Sequence, residues 1–179
     1  GAGAAIFADQ VSTLGFTKGK YYAEFQTTGD TYTAMGIVNQ KFIDAYLGDY
    51  IGSEATSGVN NIGYQSVNGK VKKNDATQYT GSTFTSANDI IGVAVDLDNN
   101  YIYFHKNGTY QNSGDPTSGS TGTGGVSITA DEYFFAVSSH NNAASGTEYV
   151  HANFGNGYFG TTAVSSAGTN AGIGTFEYN

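Results

Sequence analysis

The hydrophobic and polar positions of this chain alternate with a period of two over several short stretches. Between residues 20 and 27, for example, Tyr21, Ala23 and Phe25 share one side of an extended chain, and Glu24 falls on the other side. Since successive side chains of a strand point to opposite faces, this spacing predicts a β-strand with one buried face. Further strands are predicted at residues 32–38, 62–67, 91–95, 101–106, 133–139 and 149–154, with a last one around Phe176 and Tyr178.

Glycine and asparagine punctuate these stretches. The Asn-Gly pairs at residues 68–69 and 107–108 favour tight turns with positive φ angles. Residues 96–100 turn the chain between two apolar stretches, so residues 89–108 are predicted to form a β-hairpin. The Gly-Asp pair at residues 29–30 predicts a second hairpin, between the strands on either side of it.

The composition agrees with an all-β domain. The chain has 179 residues, enough for one domain with a proper core, and it contains 26 glycines and 25 tyrosines and phenylalanines. Apolar residues rarely follow helical spacing, and residues 112–125 consist of turn-forming and small polar residues, which predicts a surface loop. With no repeat and no linker, residues 1–179 are predicted to form a single antiparallel sandwich or barrel.

Charge and hydropathy exclude several classes of partner. The chain has seven cationic residues, all lysines, against 15 carboxylates, and its net charge is −8. The only basic cluster, Lys70, Lys72 and Lys73, follows a predicted turn and is interpreted as solvated, so no nucleic acid is expected to bind. No apolar run reaches the roughly 18 residues that span a bilayer, which argues against membrane insertion. A start at Gly1 predicts that the chain is a processed or excised part of a longer one.

Several motifs in fixed order resemble those of the SPRY domain family. The most specific is DIIGVAVDLDNNYIYFHKNG at residues 89–108. Its companions across about residues 18–155 are GKYYAEF (19–25), YLGDYIGS (46–53), NIGYQSVNGK (61–70), YFFAVSS (133–139) and VHANFG (150–155). The resemblance implies a two-sheet antiparallel β-sandwich of the concanavalin A-like jelly-roll type, with loops at one end that bind a partner and no catalysis.

The style of these motifs is similar to that of SPRY domains in bacteriophage tail and other virion structural proteins. This implies a recognition or structural module of a virion, such as a tail fibre, or of another extracellular assembly, which binds a host-surface glycan or protein and neighbouring subunits. The chain lacks a tryptophan that the family has near the first motif, and it carries an insert at residues 54–60, which affects any carry-over of loop geometry. The alternative is an intracellular protein–protein interaction domain.

A second alternative is a glycan-cleaving enzyme on the same type of fold. Asp96 and Asp98 would suit the carboxylate separation of about 5–9.5 Å that glycosidases require. No glutamate belongs to an alternating acidic strand such as those enzymes carry, and the sequence has no Gly-x-Ser-x-Gly elbow. His105 alternates in phase with two tyrosines, so it is interpreted as a sheet-surface residue. The sequence therefore predicts a non-enzymatic protein.

Metal binding has little support in the sequence. Three or four converging ligands, which zinc requires, are not apparent. Asp96 and Asp98 carry oxygen atoms in a predicted turn and are weak calcium candidates, but the rest of an EF-hand loop is missing. No metal or other cofactor is therefore expected, with calcium the single alternative.

The predicted binding residues lie in two loops. Residues 42–51 combine tyrosine with aspartate in a predicted loop, a composition that stacks on sugars or anchors protein interfaces. The candidates are Asp44, Tyr46, Asp49 and Tyr50 in this loop, and Asn141 and Asn142 in the loop at residues 139–147. The alternative for Tyr46 and Tyr50 is that both turn inward to the core, and for the second loop that it is only solvated.

Overall fold

The computed structural model describes residues 7–28, 32–140, 149–155, 157, 159 and 175–178. These residues form two antiparallel sheets, here called sheet A and sheet B, and one short α-helix. The all-β architecture predicted from the alternating pattern and the two-sheet β-sandwich implied by the SPRY resemblance are thereby confirmed.

Sheet A contains six strands in the order β1-β11-β3-β4-β5-β6. The strands are β1 (Phe7–Val11), β3 (Thr33–Asn39), β4 (Asn61–Gln65), β5 (Lys70–Lys73), β6 (Ala76–Thr80) and β11 (Tyr133–His140). The pair β4–β5 is antiparallel, so the turn predicted at residues 68–69 does join a hairpin.

Sheet B has the order β10-β8-β7-β2-β12, and β9 pairs with β8. The strands are β2 (Lys20–Thr27), β7 (Ile90–Asp96), β8 (Tyr101–Lys106), β9 (Thr109–Tyr110), β10 (Val126–Ser127) and β12 (Val150–Asn153). The predicted hairpin at residues 89–108 is the β7–β8 pair. The hairpin predicted around residues 29–30 is wrong, because β2 belongs to sheet B and β3 to sheet A. That connection crosses from one sheet to the other.

The main core lies between the two sheets. Alternate residues of the central strands contribute to it, as the alternation predicts: Ile91, Val93 and Val95 of β7 belong to the same cluster as Met35 and Ile37 of β3. Aromatic rings fill the space between the sheets, and burying such rings supplies much of the stabilisation of a sandwich.

A second apolar cluster covers the outer face of sheet A. The helix α1 (Gln40–Tyr46) and the segment that follows it place Phe42, Ile51 and Val59 over Val38 and Ala136. The loop predicted at residues 42–51 is therefore wrong in its first half, because this stretch begins as a helix. The helix makes only about two turns, so its few apolar positions give a weak helical pattern.

The outer face of sheet B is also covered. The stretch after β9 contains two short 3₁₀ helices (Gln111–Ser113 and Gly119–Thr121) and crosses Tyr103, which is 1% exposed. An added Cβ at Gly125 would lie 2.6 Å from the Tyr103 ring, so only glycine permits this approach. The predicted surface loop thus forms a lid over the sheet. The last strand predicted around Phe176 and Tyr178 is wrong: residues 176–178 form no strand.

Among the described residues, no helix has the length and apolar character that crossing a bilayer requires.

Candidate binding surface

The helix α1 owes its position to Asn39. The Asn39 side chain caps the helix, since its Oδ1 accepts a hydrogen bond from the Phe42 amide at 3.1 Å. The same oxygen accepts the Asn60 amide at 3.1 Å, and the Asn39 Nδ2 donates to Asp131 at 2.8 Å. Asn60 also donates to Asp131, at 2.7 Å. These bonds fix both ends of the segment 40–60 where β3 ends and β4 begins.

Tyr46 and Tyr50 are half-buried, and both pack against the second apolar cluster. The Tyr46 hydroxyl donates to Thr56 Oγ1 at 3.0 Å, and the Tyr50 hydroxyl donates to the Thr33 carbonyl at 2.9 Å. Part of each ring therefore turns inward, as the alternative interpretation of the sequence has it. The other part of each ring stays at the surface.

Asp44 and Asp49 are exposed. Gln40 donates to the Asp44 carboxylate at 2.7 Å within the helix. Asp49 lies near Asp9 of β1, whose carboxylate accepts the Gly48 amide at 2.7 Å. Burial, and secondarily the Asp49 charge, raise the pKa of Asp9 to about 6. Asp9 was missed by the sequence analysis because it is 40 positions away from Asp49 along the chain.

Asn141 and Asn142 lie outside the described residues, but the strand before them does not. In β11, Ser138 Oγ accepts the Ile51 amide at 3.1 Å, and Ser139 pairs with Thr33. Because Tyr50 bonds to Thr33, it lies at the end of β11 from which the second predicted loop departs. Tyr50 thus lies close to the start of that loop, whereas Tyr46 is bonded to Thr56, elsewhere on the helical segment.

Two exposed tyrosines that the sequence analysis missed lie at the same end of the sandwich. Tyr32 is 45% exposed and directly precedes Thr33. Tyr149 is 59% exposed, and its backbone is tied to Thr28, after β2, by two hydrogen bonds of 3.0 and 3.1 Å. We call Tyr32, Tyr50 and Tyr149 the tyrosine end. In the sequence, the only indication of this surface is the polar loop at residues 139–147, between two predicted strands.

Asp96 and Asp98 lie at the β7–β8 turn. The Asp96 carboxylate accepts the Asn99 amide and side chain and pairs with Lys20 at 3.2 Å, and these bonds lower its pKa in spite of burial. Asp98 accepts the Gly19 amide at 3.2 Å. The part of the chain that the structure describes holds no group of three or more His, Asp or Glu residues that could bind a metal. Both aspartates therefore hold turns in place.

A buried polar chain on sheet B resembles catalytic machinery in its residue types. The Gly108 amide donates to His105 Nδ1 at 3.2 Å, so Nε2 carries the proton and donates to the Tyr22 hydroxyl at 2.6 Å. Tyr22 donates to Glu24 at 2.9 Å. His105 and Glu24 are both fully buried, and burial lowers the pKa of His105 to about 4. The interpretation of His105 as a sheet-surface residue is wrong, because further chain covers this face.

This arrangement defines a class of protein: an antiparallel β-sandwich in which Asp96, Asp98, Glu24 and His105 hold the structure together. A family model described as the SPRY domain matches residues 18–147. The chain belongs to the SPRY domain family, whose members are generally non-catalytic binding modules.

Solved structures agree with this membership. The crystal structure of the SPRY domain of human HERC1 has a TM-score of 0.59 and 22% identity, over 82% of this chain and 82% of that chain. A second human SPRY domain has a TM-score of 0.59 and 21% identity, over 84% of this chain and 86% of that chain. At this identity the similarity is one of fold. No curated protein sequence matches the chain.

Proposed function

We propose that this SPRY domain is a non-catalytic module that binds another protein through the tyrosine end. Its supporting observation is the pair of exposed residues Tyr32 and Tyr149. The Tyr149 backbone is hydrogen-bonded to Thr28, and Tyr32 directly precedes Thr33, whose carbonyl accepts the Tyr50 hydroxyl. Tyrosines with a fixed backbone offer a large contact area at small entropic cost, which is the usual composition of an interface anchor.

Charge complements this surface. The chain carries a net charge of −8, and Asp49 and Asp9 lie beside Tyr50. A partner segment with basic residues next to an apolar or aromatic anchor would therefore be steered to this end and held there.

The family and structural matches favour the alternative drawn from the sequence, an intracellular protein–protein interaction domain, over a virion module. They give no support to a phage tail fibre, to glycan binding or to assembly with other virion subunits. We therefore propose that the protein is located inside a cell. The resemblance to SPRY domains of bacteriophages predicted a virion or extracellular location instead.

The test is selection of binders from a yeast-displayed library of random peptides, followed by affinity measurement with purified variants. Truncating anchor tyrosines at an interface usually costs about 2 kcal/mol or more each. We expect the double variant Tyr32→Ser, Tyr149→Ser to weaken selected peptides more than tenfold. The matched control is Leu14→Ser, because Leu14 is 70% exposed but lies towards the opposite end of β11.

Equal affinity of the double variant and the native chain, with loss in the Leu14 variant, would place the interface elsewhere. A glycan array with and without calcium, with a product assay on any bound glycan, completes the test. Saturable glycan binding that the double variant loses would replace the protein partner by a glycan, and cleavage would refute the non-catalytic assignment.

A further inference from the structure

The described C-terminal residues, Thr175 to Tyr178, lie in a groove on the outer face of sheet B. The floor of the groove is the Glu24 side chain in the middle of β2, with no exposed surface. A carboxylate in such a place has to be surrounded by donors. Two of its four donors come from this C-terminal segment, which lies beyond residues 18–147 of the family match.

The Glu24 carboxylate holds two consecutive main-chain amides. Its Oε2 accepts the Glu177 amide at 2.8 Å, and its Oε1 accepts the Tyr178 amide at 2.6 Å. Tyr22 and Asn153 donate the remaining bonds, at 2.9 and 3.2 Å. This two-point contact fits a bent backbone, because successive amides of an extended chain point to opposite sides, and it is independent of the side chain at either position.

Side-chain recognition occurs on both sides of the carboxylate. The Phe176 ring meets Tyr22 edge-on, with centroids 4.8 Å apart and planes at 78°. The Tyr178 ring meets His105 at 5.6 Å and 69°, and it crosses Gly108, where an added Cβ would approach it to 2.6 Å. Gly108 is therefore a recess that fits an aromatic ring.

The position between the two rings is also specified. The Glu177 side chain is 1% exposed, and its carboxylate accepts the Phe159 amide at 3.1 Å. Upstream, the Asn153 side chain donates to the Thr175 carbonyl at 3.0 Å, and Thr175 donates to Gly155 at 3.0 Å. The groove consequently fits a segment that bends at its central residue and has the order aromatic, glutamate, aromatic.

The contacts that hold this segment can be exchanged. Among the described residues, no lysine forms an ion pair with Glu24, and the four groups that donate to its carboxylate are uncharged. When the segment leaves, water can replace the two amides, and burial of the carboxylate ends with it.

We propose that this groove is a second peptide-binding site, occupied by the chain's own C-terminal segment, and that it accepts an aromatic–glutamate–aromatic segment with the same bend from another polypeptide. The proposal is independent of the tyrosine end, because the groove lies on the outer face of sheet B and involves none of its three residues.

The test uses the full chain and a fluorescent peptide, GTFEYN, with the sequence of residues 174–179. We expect saturable binding, and at saturation we expect hydrogen exchange at the Glu177 and Tyr178 amides of the protein to accelerate at least tenfold. The peptide GTSESN, without the aromatic rings, should do neither. Glu24→Gln should weaken binding at least tenfold, while the matched control Glu132→Gln, at an exposed position, should not.

A third variant keeps the proposal testable should Glu24→Gln fail to fold. Phe176→Ser weakens the resident segment and leaves the groove unchanged, so it should raise the apparent affinity for GTFEYN severalfold. The proposal is overturned if both C-terminal amides exchange only as slowly as those of β7 and β8, with and without the peptide, or if Phe176→Ser binds the peptide no better than the native chain.

Discussion

His105 shows how strongly a single residue depends on what covers it. In the sequence it alternates with Tyr101 and Tyr103 and resembles a surface position of a strand. In the structure it is fully buried between Tyr110 and Tyr178, with ring centroids at 5.2 and 5.6 Å. Gly92 makes room for it, since an added Cβ there would lie 2.0 Å from its Nε2. Burial keeps the imidazole neutral.

The neutral state of His105 predicts an acid-sensitive fold. Burial lowers its pKa from 6.5 to about 4, so the unfolded chain binds a proton near pH 6.5 that the folded chain refuses until about pH 4. Between these values the unfolded state binds more protons, and the free energy of unfolding falls as the pH is lowered, by up to roughly 3 kcal/mol. Urea unfolding at pH 7 and 4.5 measures this slope, which His105→Gln should flatten.

Two comparisons isolate the effect of His105. His151 is exposed on β12, so His151→Gln should keep the native slope. Asp9 acts in the opposite direction: its pKa is raised to about 6, so the folded state binds its proton first and gains stability as the pH falls through 6. The prediction therefore concerns the difference in the pH dependence of unfolding free energy between His105→Gln and the native chain. A His105→Gln slope equal to that of the native chain would refute it.

At the scale of elements, α1 and the segment after it depend on the hydrogen bonds of the Asn39 side chain more than on helix propensity. The helix has seven residues, too short to be stable alone, and its cap residue Asn39 bonds simultaneously to Phe42, Asn60, Gly58 and Asp131. Since this segment carries Tyr50 to the tyrosine end, the asparagine also controls the geometry of the proposed interface.

Replacing Asn39 by alanine should loosen the whole segment. The change removes the helix cap, worth about 1 kcal/mol, and leaves buried partners unpaired at a similar or larger cost, so we expect a loss of about 2–3 kcal/mol of unfolding free energy. Cleavage after Lys41 by a lysine-specific protease should accelerate with it. Gln78→Ala, at an exposed position of β6, is the control and should change stability by less than about 0.5 kcal/mol. A loss that small in Asn39→Ala would show that the second apolar cluster alone holds the helix.

Much of the element structure was predictable, and the failures share a cause. The β7–β8 hairpin combines alternation with Asn107-Gly108, so local signals determine it. The connection from β2 to β3 also carries a turn sequence, but which sheet receives β3 depends on pairing with β4 and β11, far away along the chain. The cover over His105 comes from residues 176–178, and no pattern near residue 105 indicates it.

At the scale of the whole molecule, one core joins both sheets. Phe104 of sheet B is fully buried and lies against Tyr64 of sheet A, with ring centroids 5.7 Å apart. Tyr64 also contacts Phe84 at 4.7 Å. Neither sheet can therefore keep its inner face buried without the other, which predicts that both unfold together.

Phe104→Ala tests this cooperativity. Truncating a buried phenylalanine usually costs about 3–5 kcal/mol, and hydrogen exchange should accelerate by the same factor in β4 and in β7. Leu14→Ala, at a residue 70% exposed, should leave both rates unchanged. Faster exchange in sheet B alone would contradict a shared core.

Function was less predictable than fold at this scale. The SPRY motifs quoted from the sequence belong largely to the scaffold, as the turn roles of Asp96 and Asp98 illustrate. Of the predicted binding residues in the first loop, Tyr50 lies at the proposed interface beside Asp49, and Tyr32 and Tyr149 join it only through pairing of distant strands. Spatial neighbours of this kind leave no local pattern in a single sequence.

The strand order has a consequence for how the chain is made. Among the described residues, β1 begins at Phe7 and pairs with β11, which ends at His140, and β2 pairs with β12, which ends at Asn153. During synthesis β1 must therefore wait for this partner until β11 has left the ribosome. Such late closure makes folding slow and exposes the nascent chain to aggregation, so chaperone demand should be highest just before β11 emerges.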